Sequence, residues 1–223
     1  MIGGKSSQSV FQHLTAARSP LDISHIRSFT INGSEQELLS VTAQIFQLAS
    51  STIECFVWEL PAYSFRPHVS DAPWYHPLNL RDLTHLQTLI LVEYDWVQQL
   101  SIVYALVTGC GLPNMLRNIV VMFQYEFHSS QGSIISFNDL EHTLQALKVD
   151  RALSAACYNS AHPLCITVWV FINDPNIDLE TARNAVRSRF LKWFALTFAQ
   201  GVEVKGGIEM RSKLPEILER LQA

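Results

Sequence analysis

Six times along the chain an apolar residue is followed three places later by a second and two places after that by a third. The clearest case is Leu86-x-x-Leu89-x-Leu91, inside "LRDLTHLQTLILVEYDW", residues 80–96. Steps of three belong to a turn or a helix end, and a step of two belongs to a strand with one buried face. The chain therefore enters each such unit through a tight bend and leaves it extended. The same spacing recurs at Ile26-x-x-Phe29-x-Ile31, Ile53-x-x-Phe56-x-Trp58 and Leu116-x-x-Ile119-x-Val121, and more loosely at Cys165-x-x-Val168-x-Val170 and Ala199-x-x-Val202-x-Val204. The last apolar positions fall at 31, 58, 91, 121, 170 and 204, with gaps of 27, 33, 30, 49 and 34, mostly room for one strand and one helix per unit.

Short β-branched or aromatic runs predict strands at 28–31, 53–59, 87–93, 117–127, 165–172 and 202–205. Between them the apolar period changes to that of a helix. Ser34 to Glu37 is a capping box before the stripe Leu38, Val41, Ile45 and Leu48. Residues 96–108 carry Val97, Leu100, Val103, Tyr104 and Val107 on one face, with Gly109 placed to end the helix. Asn138 opens a helix with Leu140, Leu144 and Leu147, and Asp178 caps another, running to Ala199, with Leu179, Ala182, Val186, Phe190 and Trp193 inward. A short helix near 214–221, with Lys213, Glu216, Glu219 and Arg220 around Ile217 and Leu221, reads as a polar cap on the last unit, over Val202 and Val204.

Strands that alternate with helices pair in parallel, because each helix returns the chain to the same end of the sheet. The expected class is α/β: a leucine-rich-repeat-like solenoid of alternating short parallel strands and helices, in one domain spanning 1–223. An open doubly wound parallel sheet has nearly the same period and is the alternative.

The alternation of "LTHLQTLILVEYDW" with amphipathic helices, then "FNDLEHTLQAL", "LCITVWVFI", "FLKWFALTFAQG" and "VEVKGG", resembles the leucine-rich-repeat-like regions of F-box proteins from mushroom-forming fungi over about residues 20–207. The F-box pattern itself, Leu-Pro before an acidic helix, is not found near the N-terminus. The resemblance is thus to the C-terminal part of such proteins. It implies a substrate-recruiting arm of a ubiquitin-ligase adaptor.

Charged residues make up only 16% of the chain against 48% hydrophobic, so either an unusual fraction is buried or apolar surface is reserved for a partner. The formal net charge of −4 and the absence of any Lys/Arg run argue against nucleic acid as a partner. The longest nearly apolar run, Leu164 to Ile172, is too short to span a membrane, and the N-terminus has no signal-like core. Cys55, Cys110, Cys157 and Cys165 are scattered among apolar residues and read as buried thiols, which points to a cytoplasmic or nuclear setting.

Residues that alternate with the inward positions define the second face of the strands: Val57, Ile90, Val92, Val120, Met122, Trp169 and Phe171. A ribbon so apolar is either a strip that binds another protein or a face covered by further helices. Trp74, Tyr75 and His76, in the long connection 63–79, form a second candidate contact, since aromatic residues dominate binding hot spots. Glu59, Glu93, Asp95, Glu126, His128 and Asp174 stand at the C-terminal ends of strands, where open α/β sheets bind ligands. An acidic catalytic site there is the enzymatic alternative to a non-catalytic interaction domain. Cys157-x4-His162-x2-Cys165 lacks a second pair of ligands for zinc, and no phosphate loop, metalloprotease motif or nucleophile elbow occurs. No metal and no cofactor are expected.

Overall fold

A computed structural model describes residues 22–33, 36–59, 78–93, 102–110, 112–125, 140–158, 163–172, 178–199 and 201–222. These residues form a parallel sheet of six strands: β1 (Ser28–Asn32), β2 (Cys55–Glu59), β3 (Thr88–Glu93), β4 (Asn118–Tyr125), β5 (Cys165–Ile172) and β6 (Glu203–Met210). Each strand pairs only with those before and after it, so the order is β1-β2-β3-β4-β5-β6. The class is α/β, with consecutive parallel strands alternating with helices. The order never reverses, and a reversal is what opens a crevice in a doubly wound sheet.

The bend that precedes each strand has a repeated hydrogen-bond basis. The first apolar residue of the pattern closes a turn: Ile26 N–H donates to Ile23 O, Leu86 to Leu83 O, Leu116 to Pro113 O and Ile53 to Ala49 O. The next unit then locks onto the last residue before the strand. Arg27 O accepts from both Glu54 and Cys55 N–H, Glu54 O from Gln87 and Thr88, and Gln87 O from Arg117 and Asn118. Arg117 O accepts in the same way from Cys165 N–H. Backbone donors that a bend removes from the ladder are thereby satisfied by the neighbouring unit, which makes the architecture repeat-like in its bonding as well as in its spacing.

Strand residues alternate between two faces. One carries Phe29, Ile31, Phe56, Trp58, Leu89, Leu91, Ile119, Val121, Ile166, Val168, Val170 and Ile172, and all the described connecting helices pack there. Helix α1 (Gln36–Leu48) contributes Leu38, Leu39, Ile45 and Phe46. Phe46 meets Phe56 edge-on with ring centroids 5.0 Å apart, and Phe29 stacks on Phe56 at 6.2 Å. The buried stripe is rotated from the expected one: Leu48 is exposed, and Leu39, Phe46 and the backbone-bonded Thr42 are inside. The segment 102–110 buries Val103 and Val107 as expected but leaves Tyr104 exposed, and it runs on through Gly109 as a π-helical turn, Leu106–Cys110. Helix α2 (Leu140–Tyr158) turns Ala146, Val149 and Leu153 inward and Leu147 outward.

The long helix expected through Ala199 is two helices, α3 (Leu179–Trp193) and α4 (Ala195–Ala199). Its start is as read, with Asp178 accepting from Glu180 N–H, and Gly201 follows α4 at a φ of 78°. The break comes from a buried aspartate on α2. Asp150 accepts from Leu196 N–H at 3.0 Å and Thr197 N–H at 2.8 Å, while Thr197 Oγ1 donates to its backbone carbonyl. Those amides would be bonded inside an unbroken helix. A carboxylate from another element frees them to begin a new one.

The register corrects the repeat spacing in its last two units. Ile31, Trp58, Leu91 and Val121 are laterally aligned as expected, but the next residues in that row are Val168 and Gly206, not Val170 and Val204. Cys165, taken as an inward position, lies on the opposite face, half-buried. Strand β6 also runs to Met210, well past the expected end at 205, through Gly206 and Gly207. The reason lies across the ladder. Trp169 pairs with Gly207, and a Cβ built on Gly207 would collide with the indole carbons Cζ3, Cε3 and Cη2. The glycine is strand backbone with an indole laid over it.

Gly207→Ala is therefore expected to lower the melting temperature, because the rigid indole must leave the sheet and its stack on Phe171, at 6.4 Å, is disturbed. In a Trp169→Ala background the same substitution should cost much less. Equal costs in the two backgrounds, measured by thermal denaturation, would contradict the packing described.

Candidate functional site

The second face of the sheet is the candidate site, and its register gives it a layered surface. The row at the N-terminal ends of the strands is polar: Ser28, Cys55, Thr88, Asn118, Cys165 and Glu203. The next row reads Thr30, Val57, Ile90, Val120, Thr167 and Lys205, and the next Asn32, Glu59, Val92, Met122, Trp169 and Gly207. Apolar side chains thus fill the middle of the sheet, and polar ones frame it at both edge strands.

That apolar centre is not open. Val57, Ile90, Val92, Val120, Met122 and Phe171 form a second buried cluster together with Cys55 and Ile217. Ile217 belongs to helix α5 (Leu214–Gln222), whose Leu214, Leu218 and Leu221 pack against the same cluster. These four positions follow the i, i+3, i+4, i+7 spacing of a single helical stripe. A 3-10 turn, Arg211–Lys213, links the helix to β6 at one edge of the sheet, and Gln222 Nε2 donates to Thr30 Oγ1 on β1 at the other, at 3.3 Å. The segment therefore crosses all six strands. It is not the cap on the last unit expected from its sequence, for Val202 belongs to the opposite, helix-packed core.

The helix is locally well made. Pro215 stands in its first turn, where a missing N–H costs nothing. Lys213 Nζ bonds Glu216 Oε2 at 3.0 Å, and that bond and charge hold the Glu216 carboxyl below its ordinary range. Both groups are solvent-exposed, so the pair adds little to stability. The attachment rests on the apolar stripe.

Coverage is uneven. Trp169 is only half-buried, and Cys165 and Thr167 beside it are also partly exposed. Lys205 bonds Glu203 at 3.0 Å along the open edge, and this contact holds the lysine ammonium above its usual pKa. At the other end of the face Asn32 Nδ2 donates to Glu59 Oε2 at 3.0 Å. Among the described residues no group of three or more His, Cys, Asp or Glu could hold a metal ion. Of the expected acidic edge, Glu59 is placed with Asn32 as its partner. The Glu93 side chain and all of Asp95, Glu126, His128 and Asp174 lie outside the described residues, as do Trp74, Tyr75 and His76. The same holds for the Cys157 side chain and for His162. No helix among the described residues is long and apolar enough to cross a membrane.

With the face described, the chain was compared with known proteins. No family model, curated protein or solved structure matches it. What the face can do follows from its own chemistry. It holds an amphipathic helix against parallel strands, chiefly through aliphatic side chains. The four residues of α5 that fill it were legible as a helical stripe, but nothing local says which surface a stripe will choose.

Cys55 reports on the same cover. Burial pushes its thiol up to about 11, against a smaller opposing effect of its hydrogen bond with Ser28. Below the ordinary value of 9.0 the thiol is protonated in folded and unfolded chains alike and contributes no pH dependence. Above it the unfolded chain releases the proton first, so stability falls as pH rises from 9.0 to about 11. That loss is expected to be smaller in Cys55→Ala, compared through denaturant midpoints at the two pH values. An identical loss in both proteins would show that Cys55 is not held in an apolar layer.

Proposed function

We propose that the chain is a non-catalytic protein-interaction domain, a solenoid-like arm whose second sheet face receives another protein. The observation that supports this is the division of labour between the faces. Every described connecting helix packs on one side, and among the described residues the helix that covers the other is α5, which lies across it. A parallel sheet is normally buried on both faces by its own crossovers. A sheet face that takes up an amphipathic helix through a stripe of aliphatic side chains has the chemistry of helix-in-groove recognition. The low charge content fits the same reading. The resemblance to the leucine-rich-repeat-like arms of fungal F-box proteins gives it a finer form, a substrate-recruiting arm of a ubiquitin-ligase adaptor. The partner is then the protein to be modified, and neither nucleic acid, membrane nor cofactor takes part.

The competing enzymatic reading places a metal-assisted or acid–base site on the strand-end carboxylates. The two separate cleanly. Mg²⁺ or Mn²⁺ is expected to leave the melting temperature unchanged, since a native-state ligand would raise it. A protein partner isolated on the immobilised chain should rebind the purified chain and lose affinity when Trp169 is replaced by Ala, about the effect of losing one interface aromatic. A metal-dependent rise in melting temperature, abolished by Glu93→Gln or Asp95→Asn, would overturn the non-catalytic account.

A further inference from the structure

We infer that the outer edge of β6 pairs antiparallel with β6 of a second copy of this chain, about a two-fold axis at Gly207. Among the described residues the sheet ends at β6, whose eight residues make it the longer of the two edge strands. An edge strand presents a row of backbone donors and acceptors and is a template for a further strand.

One side chain shows how that edge is disposed. Arg183 stands on α3, which sets Ala182 and Val186 in the same core as Ile208. Its Nε donates to Ile208 O at 3.4 Å and its Nη2 to Glu209 Oε1 at 3.2 Å. Ile208 and Glu209 point to opposite faces, so the guanidinium reaches both by passing around the open edge. The Ile208 carbonyl therefore points outward, and with it the peptide groups of the alternate residues Val204, Gly206 and Met210. Where a neighbouring strand would supply an amide, that carbonyl has one long side-chain bond, which is readily exchanged.

Charge selects the register. An axis at Gly207 sets Lys205 opposite Glu209 of the other copy, twice, with Val204 opposite Met210 and Gly206 opposite Ile208. Each outward residue then meets another outward residue, as an antiparallel ladder requires. Glu203 falls opposite Arg211 at either end. Moving the axis to Gly206 sets Glu203 against Glu209, and moving it to Ile208 sets Lys205 against Arg211. Opposite charges across a strand pair support it, and like charges directly opposite destabilise it. Lys205 is exposed and Glu209 half-buried, so both can be reached by a second copy. The other edge strand, β1, has no such pattern, since Ser28–Asn32 carries no charge.

The same axis suits the glycine and the indole beside it. Gly207 faces its own counterpart in a pair of the closely approaching kind. The Trp169 ring lies over Gly207, displaced from β5 toward the axis. The two β5 strands are then three spacings apart, about 14 Å, which brings the two half-buried indoles together over the join. The contact is isologous, each copy giving and receiving the same pairs.

Sedimentation velocity on the full chain is the test. Wild type is expected to shift from one chain mass toward two as its concentration is raised. Lys205→Glu and Glu209→Lys should each weaken that association by on the order of tenfold, because each turns two attractive pairs into two repulsive ones. Mixed in equal amounts, the two variants should associate again, since every pair between positions 205 and 209 then joins opposite charges. A wild-type monomer at every accessible concentration overturns the inference. So does a dimer that ignores both substitutions, or a pair of variants that stay apart when mixed. Should a variant fail to fold by circular dichroism, amide hydrogen exchange on the wild-type chain decides. The Gly206 and Ile208 amides are expected to exchange more slowly as concentration rises, with those of β3 unchanged. Exchange of those two amides that is independent of concentration overturns it.

Discussion

Every described crossover lies on one side of the parallel sheet, and the other side carries Val57, Ile90, Val120 and Met122 at its centre. Exposed together they would form an apolar patch of the kind monomeric proteins avoid. The contact that removes it is Ile217, seated among them from a helix whose sequence position is as far from β1 as the described chain allows. Fully burying one such side chain is worth about 1.5–3 kcal/mol. The patch it shields is larger than the side chain itself, so the consequence of its loss is solubility and exposure as much as stability.

The order of the strands rests on a second, local device. Each strand is preceded by a turn closed by its first apolar residue, and the carbonyl just before the strand takes amides from the unit that follows. Units so joined need only their immediate neighbours, which is the physical content of a repeat architecture. The opposite core then grows as a continuous layer of helix against sheet, with Asp150 resolving the one place where a helix must break to follow it.

Local chemistry was easily read from the sequence. The six strands, their parallel alternation with helices, the turn-to-strand transition at Leu86 and the inward aim of Leu89 and Leu91 all follow from period and residue type, and all are found. What escaped depended on partners remote in sequence. The continuation of β6 through Gly206 and Gly207 makes sense only once Trp169 is laid across the ladder. The rotated stripe of α1 follows from where Phe29 and Phe56 offer room for Phe46. The helix break at Phe194 requires a carboxylate 44 residues earlier, on α2. The largest departure concerns α5. Its stripe is evident, and so is the apolar ribbon of the strands, but only the fold brings the two together, so that the ribbon is covered by a helix expected to cap the last unit instead.

The central claim is that α5 folds back across the sheet and seats Ile217 on the face opposite the described connecting helices. Methyl-selective nuclear Overhauser spectroscopy tests it most directly. The Ile217 methyl groups should give cross-peaks to methyls of Val57, Ile90 or Val120, three strands that no local contact of α5 can reach. Cross-peaks confined to the helix itself and to residues of β6 would contradict the account.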